Sequence, residues 1–419
     1  MTGDDLPLLR TAVPGPASRA WVDRLARHEC PAITARRARR AVSIGAADTD
    51  PIVWDEAVGA NVRDADGNVF VDLCAGFGVA SVGHRHPAIV AAGQAQLARL
   101  PHAMGDAFPD LRRIELLERL CAVTGMDRVI FGTSGSDAVE AALKTARVAT
   151  GRGRVLAFTG GYHGLAAASL AALGYHVHAF REPFADMLGH HVDHVAFGGD
   201  WPDLTPYAAV LVEPIQGRGG MREPPAGWLE RLHAAARAVG TLVIHDEIYS
   251  GLGRSGALLA AGALRPDLLC LGKALGGGFP ISACLGTSAA MDAWGASTGE
   301  AIHTQTFLGN PVGCAMALGV LEVIEREQLV ARAATEGAWF AAALANVPGV
   351  RAISGRGMML GVHLDDSLGV TRKMLDRGYI VLPCGERAEA LGLTPPLTIA
   401  RAQLEGAVTA LAACIGSPA

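Results

Sequence analysis

The chain has 419 residues, 50% of them hydrophobic and 18% charged, with 36 basic against 41 acidic side chains and a net charge of −5. That length and apolar content suffice for a large core in two or three lobes, and the slight acidity leaves no basic surplus for nucleic acid. No run of about 18 uninterrupted apolar residues marks a membrane span, and the 8 scattered cysteines, without CxxC or zinc spacing, read as reduced thiols of a cytoplasmic protein.

The N-terminal stretch MTGDDLPLLRTAVPGPASRA has acids and prolines where a secretory signal needs a basic start and an apolar core, so no export is implied. TARRARR at 34–40 is short and isolated, and reads as a solvated helix face rather than a nucleic-acid patch. Up to residue 64 the chain reads as extended and punctuated by proline, and the DG in DADGNVFVDL predicts a hairpin turn. Beyond it, short apolar runs alternate with helical patterns, which predicts an α/β fold of parallel strands joined by helical crossovers. The predicted strands are 128–131, 154–158, 208–213, 241–246 and 268–272, each too short and too evenly apolar for an amphipathic helix. Helices are predicted over 137–150 and 227–240, the first with an Asp137–Glu140 capping box and a Glu140–Lys144 ion pair. After GNP at 309–311, one long helix over 312–333 leads into alternating short strands and helices. The expected division is residues 1–64 as an N-terminal segment of a small domain, 65–312 as a large domain, and 313–419 as the rest of the small domain.

In an open parallel sheet, ligands bind beyond the carboxyl ends of the strands. Here RVIF runs into GTSGS, RVLAF into TGGYHG, AVLVE ends at Glu213, TLVIHD ends at Asp246, and LLCLG delivers Lys273. Each has a plain structural reading as a turn or a helix cap, but together they mark one edge. GTSGSDAVEAALK sets small residues and hydroxyls before a helix, where N–H groups and the helix dipole converge on a phosphate. It lacks the GK[ST] ending of nucleotide triphosphatases. GLGRSG at 251–256 matches a dinucleotide-binding pattern, although DEIYS separates it from its strand, and an NAD-dependent oxidoreductase stays as a distant alternative. His190 and His194 have the i,i+4 spacing of helical metal ligands, against which stands ordinary loop solvation; no metal site is assigned.

Only Lys144, Lys273 and Lys373 are lysines. Arginine replaces lysine where charge alone is needed, but it cannot form an imine with an aldehyde. A lysine in an apolar strand-end loop is desolvated and becomes a nucleophilic amine, so Lys273 is the candidate Schiff-base residue. The cofactor that unites such a lysine with a phosphate cradle and a buried acid is pyridoxal 5'-phosphate. Asp246 would hold the proton on its pyridine nitrogen, Tyr162 would lay its ring over it, and Ile248 would cover the opposite face; plain packing is the other reading of Tyr162.

These residues, with PGPASR, GANVRDADGNVFVDLCAGFGVASVGHRHP, SGSDAVEAALK, GGYHG, VEPIQGRGG, HDEIYSGLGRSG, LGKALGGGFP, HTQTFLGNP and TPPLTI, span nearly the whole chain. In them the sequence resembles the class III, 4-aminobutyrate/acetylornithine-type, pyridoxal-phosphate-dependent aminotransferases of fold type I. The resemblance implies a large domain with a mostly parallel central sheet flanked by helices, and a smaller α+β domain built from both chain ends. It implies ping-pong transfer of an amino group between an amine or amino-acid donor and a carbonyl acceptor. Lys273 would be the cofactor's attachment point and proton carrier, Asp246 the pyridinium partner, and Glu213 a mobile acid near the substrate. Ser134, Gly135 and Ser136 would hold the phosphate, Tyr162 would stack with His163 supporting its loop, and Ile248 would complete the sandwich. Tyr249 stands where many relatives have glutamine, within reach of the ring hydroxyl. Thr306 would reach the phosphate in a neighbouring subunit, which implies a homodimer with shared sites. Racemases, epimerases and aminomutases on the same scaffold are the same-class alternative, and a non-catalytic descendant that only binds is another.

Two positions depart from the family. Gly392 and Leu165 stand where relatives carry arginines that grip substrate carboxylates, so specificity for 4-aminobutyrate, ornithine or acetylornithine is not carried over. Arg85, Arg218 and Arg387 are candidate replacements, each also readable as a surface or structural arginine. Glu213 is the acid that would draw a cationic substrate instead.

Overall fold

The computed structural model describes residues 1–33 and 51–416; the TARRARR run lies outside them. Proline in the N-terminal segment does not keep it extended throughout. Pro16 occupies the first turn of a helix at Pro16–Ala26, a position where its missing N–H costs nothing. Strands β1 (Trp54–Val58), β2 (Asn61–Asp64) and β3 (Val69–Asp72) follow. The predicted hairpin joins β2 to β3: Gly67 takes φ +81°, and the Asp64 carboxylate accepts the Asp66 and Asn68 N–H groups. These two strands, on either side of residue 64, pair with each other, and β3 also pairs with Tyr379–Ile380 from far along the chain.

The central sheet comprises β4 (Arg128–Gly132), β5 (Arg154–Phe158), β6 (Val192–Val195), β7 (Tyr207–Val212), β8 (Leu242–Asp246), β9 (Leu268–Leu271) and β10 (Ser282–Gly286). Their order is β4-β10-β9-β8-β7-β5-β6, parallel except for β10, which runs antiparallel to both neighbours. The strands read as continuous apolar runs because both faces are covered. Val155, Ala157, Ala209, Leu211 and Ile244 pack with Val139, Ala142 and Ala146 of the helix Gly135–Thr150. The alternate residues Leu156, Phe158, Val210, Val212 and Val243 pack with Trp228, Leu232 and Ala236 of the helix Trp228–Ala238. That alternation is the period-two geometry of a strand with an apolar layer on each side.

Strand β6 was not expected. It takes up the HHVDH segment, so His194 lies on a strand rather than at helical spacing from His190, and the metal-pair reading fails with it. The solvated-loop reading fails for His194 as well: burial pulls its pKa down to about 4, and its Nε2 lies 3.1 Å from the Ala172 carbonyl. The long helix expected over 312–333 is two helices, Pro311–Arg326 and Leu329–Ala345, broken where Gln328 takes φ +50°. No glycine or proline marks that break. An antiparallel sheet ordered 352–356, 359–363, 390–393 and 382–384, then the helix Arg401–Gly416, complete the C-terminal region.

GLGRSG forms a series of turns, not the start of a helix. Its Arg254 is buried and donates to the carbonyls of Met358 and Pro395. The strand–turn–helix context that a dinucleotide fold requires is absent there, and the oxidoreductase alternative is overturned. All eight cysteines are free thiols. Among the described residues, no helix is long and apolar enough to cross a membrane.

Candidate active site

Strands β7, β8 and β9 are parallel and in register, with Val212 opposite His245 and Asp246 opposite Cys270. Glu213, Asp246 and Lys273 therefore leave the sheet at one edge. Asp246 is buried; its Oδ2 pairs with His163 Nδ1 at 2.8 Å, and its Oδ1 accepts the Ile248 N–H at 3.1 Å. Two fixed donors leave this carboxylate one orientation. Burial works against charge on His163, but the bond to Asp246 and the nearness of Glu213 raise its pKa overall. Glu213 accepts the Tyr162 N–H at 3.1 Å, and burial pushes its carboxyl up to about 7 in spite of the opposing pull of His163.

Lys273 follows β9 with φ +41°, a left-handed backbone that costs strain in any residue but glycine. Its Nζ lies 4.0 Å from the centroid of the Tyr249 ring. The side chain touches a cavity but is enclosed by protein. That enclosure pulls its pKa down to about 8, against the upward pull of Asp246 and Glu213, while Arg218 adds to the fall. The amine is thus substantially neutral, and nucleophilic, near pH 8.

The phosphate loop begins one turn earlier than expected. The capping box is Ser134–Asp137, and the helix starts at Gly135. Asp137 Oδ2 accepts the N–H groups of Thr133 and Ser134, and the Ser134 hydroxyl accepts that of Asp137. The N–H groups of Gly135 and Ser136 are left without an acceptor among the described residues. They belong to the first turn of a 16-residue helix, where an anion is favoured. A Cβ at Gly135 would lie 3.0 Å from Ile248 Cδ1, so glycine lets the loop approach the residue that follows Asp246 by two. Glu140 is engaged by the Ala168 and Ser169 N–H groups, and Lys144 Nζ lies 3.3 Å from His303 Nδ1, so the expected Glu140–Lys144 pair does not form.

Tyr162 packs edge-on against Tyr175 and Phe180. The Tyr249 hydroxyl contacts Thr394 Oγ1 at 3.1 Å, and the Thr394 hydroxyl donates onward to the Cys74 carbonyl. Tyr249 is therefore the donor in its pair, and its oxygen retains only accepting capacity. Thr306 is exposed on the loop before Pro311.

A cavity of about 490 Å³ opens on Lys273, Tyr162 and Tyr249. Its remaining wall was not visible in the sequence: Cys74 and Phe77 come from the N-terminal part, Met221 from the loop after β7, and Leu382, Pro383 and Cys384 from the C-terminal sheet. Gly392 lines it as expected, and a Cβ there would meet Met221 Cε at 3.0 Å. Of the three candidate arginines, only Arg218 reaches the cavity. Arg85 pairs with Glu56 at 2.8 Å, and Arg387 is exposed.

With only three lysines present, the reactivity of Lys273 is directly measurable. In cofactor-free protein, its labelling by acetic anhydride, quantified per peptide by mass spectrometry, should rise with pH through about 8 and level off above. A rise that continues past pH 10 would contradict the assigned environment.

A family model described as "Aminotransferase class-III" matches residues 44–197 and 204–415. The acetylornithine aminotransferase of Methanothermobacter thermautotrophicus is 36% identical over 372 residues, 86% of this chain and 93% of that protein. The crystal structure of the ornithine aminotransferase from Toxoplasma gondii superposes with a TM-score of 0.83 at 28% identity, covering 96% of each chain. An amine transaminase from an uncultivated Pseudomonas species, in its PLP-bound form, superposes with a TM-score of 0.79 at 30% identity, covering 88% of this chain and 95% of that one. The residues present fit that cofactor: unpaired N–H groups suit a phosphate, a buried carboxylate suits a pyridinium, and a depressed amine suits an aldehyde. The chain belongs to the class III aminotransferases and is an enzyme of pyridoxal-phosphate-dependent transamination.

Proposed function

We propose that this transamination is carried by Lys273, Asp246 and Glu213, on an amine or amino-acid donor and a carbonyl acceptor. The observation that carries the assignment is the meeting, at one sheet edge, of an amine depressed to about pKa 8 with a fixed buried carboxylate and an unsatisfied helix N-terminus. When bound, pyridoxal phosphate supplies an aldehyde that condenses with amines and a protonated ring that takes up electrons. The N–H groups of Gly135 and Ser136, with the Ser134 and Ser136 side chains beside them, bind the phosphate. Asp246 holds the proton on the pyridine nitrogen, and His163 keeps Asp246 aimed. Ile248 and Tyr162 confine the ring. Lys273 Nζ would take a proton from the donor carbon in one half-reaction and deliver one to the acceptor carbon in the other, which the neutral fraction near pH 8 permits. Glu213, close to half protonated near neutrality, balances charge at the same edge.

The working unit in this reading is a homodimer. Leu97, Met104, Phe108 and Leu111 are exposed, and so are Ile302 and Phe307. The His102–Phe307 ring contact, 5.4 Å between centroids, sets the two groups side by side. Thr306 lies on that apolar face, and a second copy covering it would bring Thr306 to the partner's phosphate loop. Contiguous apolar exposure of this kind marks a protein interface.

Donor-driven loss of the cofactor's visible band tests the assignment. Lys273→Ala should slow that half-reaction by about 100-fold or more, and a small added amine should restore part of it; an undiminished rate would reassign the proton carrier. Sedimentation at micromolar protein should give a dimer, and a monomer that turns over normally would remove the shared site.

A further inference from the structure

The cavity contains one cation besides Lys273, and no acidic side chain among the described residues pairs with it. Arg218, in the loop after β7, holds its guanidinium carbon 4.7 Å from the Tyr162 ring centroid and 5.2 Å from that of Tyr175. Neighbouring arginines are engaged: Arg222 donates to Gln216 at 2.6 Å, and Arg254 to two backbone carbonyls. On the turn whose Gly385 N–H bonds the Arg218 carbonyl, Glu389 accepts the Arg387 N–H at 2.9 Å, and neither Glu389 nor Glu386 forms an ion pair with Arg218. The Arg218 guanidinium therefore sits near two aromatic rings, themselves 76° apart in plane, and its N–H groups have no acceptor among the described residues. A guanidinium so placed presents the geometry that receives a carboxylate in two parallel hydrogen bonds.

The wall that carries Gly392 offers no alternative among the described residues. Gly392 carries no side chain, and the space beside it is closed by Met221 and by Cys384, whose Sγ lies 3.4 Å from a Cβ built at that glycine. Leu382 and Pro383 continue that wall, which is apolar throughout. Among the described residues, a carboxylate entering the cavity thus meets one cation that is not committed to proton transfer. Glu213 is buried, accepts the Tyr162 N–H and does not line the cavity.

We propose that Arg218 is the carboxylate anchor of this enzyme, and that its substrates are amino acids, and their oxo acids, whose stem lies along the Met221–Cys384 wall while the carboxylate is gripped on the Tyr162–Tyr175 side. The inference rests on the transaminase reading above and places the anchor at position 218 rather than 392.

Two readouts on the holoenzyme separate this inference from that reading. Pentanoate, a carboxylate without an amine, is titrated against the cofactor's absorption band, which requires no turnover. Wild type should bind it, Arg218→Gln should bind it at least about tenfold more weakly, and Arg218→Lys should fall between, because the charge remains while the fork is lost. In turnover, the ratio of kcat/KM for 6-aminohexanoate to that for hexylamine should drop at least about tenfold in Arg218→Gln, through KM. Absence of pentanoate binding to wild type, or equal binding to wild type and Arg218→Gln, overturns the anchor. So does an equal loss on both donors, which is the mark of a packing role. Pentanoate binding that depends on Arg218 in an enzyme that converts no donor would uphold the anchor and defeat the transaminase reading. If Arg218→Gln fails to retain cofactor, Arg218→Lys carries the same comparison: weaker binding supports the anchor, and unchanged binding overturns it.

Discussion

Keeping an amine enclosed in protein, with its pKa lowered to about 8, is the constraint around which the rest of this structure is arranged. Lys273 would lose more of its charge still if Asp246 and Glu213 did not face it, and those acids stand where they do because three parallel strands end in register. The acids in turn must be held. Asp246 is fixed by His163 and by the Ile248 N–H, and Glu213 by the Tyr162 N–H. Each support comes from a loop that leaves the sheet at the same edge, so a single register shift would dissolve the site along with the pairing.

The polar groups at this edge are carried by a sheet whose buried strands are largely apolar. Strand β7 is buried from end to end, with one helix layer on each face. A rigid, fully covered sheet lets functional loops sit in strained conformations such as the left-handed backbone of Lys273. The C-terminal region contributes walls rather than chemistry. Arg254 ties the loop after β8 to the Met358 and Pro395 carbonyls, and Tyr249 reaches Thr394, so the strands that line the cavity are fastened to the element that carries Asp246.

Much of the fold was legible because continuous apolar runs bounded by polar residues carry their own signal. All five strands foreseen from such runs are present within a residue or two. Lys273 stood out because the chain has so little lysine. What escaped was either ambiguous locally or assembled from a distance. Asp137 reads equally as a cap or as the third residue of the first turn, and only the Ser134 hydroxyl bond decides. The break at Gln328 has no residue that announces it. The histidine-rich β6 looks polar, yet it pairs at the sheet edge. Met221, Phe77 and Cys384 meet only in the folded chain, and only there does Arg218, near the rings of Tyr162 and Tyr175, line the cavity that Arg85 and Arg387 do not reach.

One cavity thus holds an amine made reactive by its enclosure and a guanidinium without an acidic partner among the described residues. The chemistry depends on the identity of that amine. Borohydride reduction of the holoenzyme, followed by peptide mapping, fixes the pyridoxyl group to the residue that carried it. The label should fall on the peptide containing Lys273; label on Lys144 or Lys373, or on no lysine, would contradict that assignment.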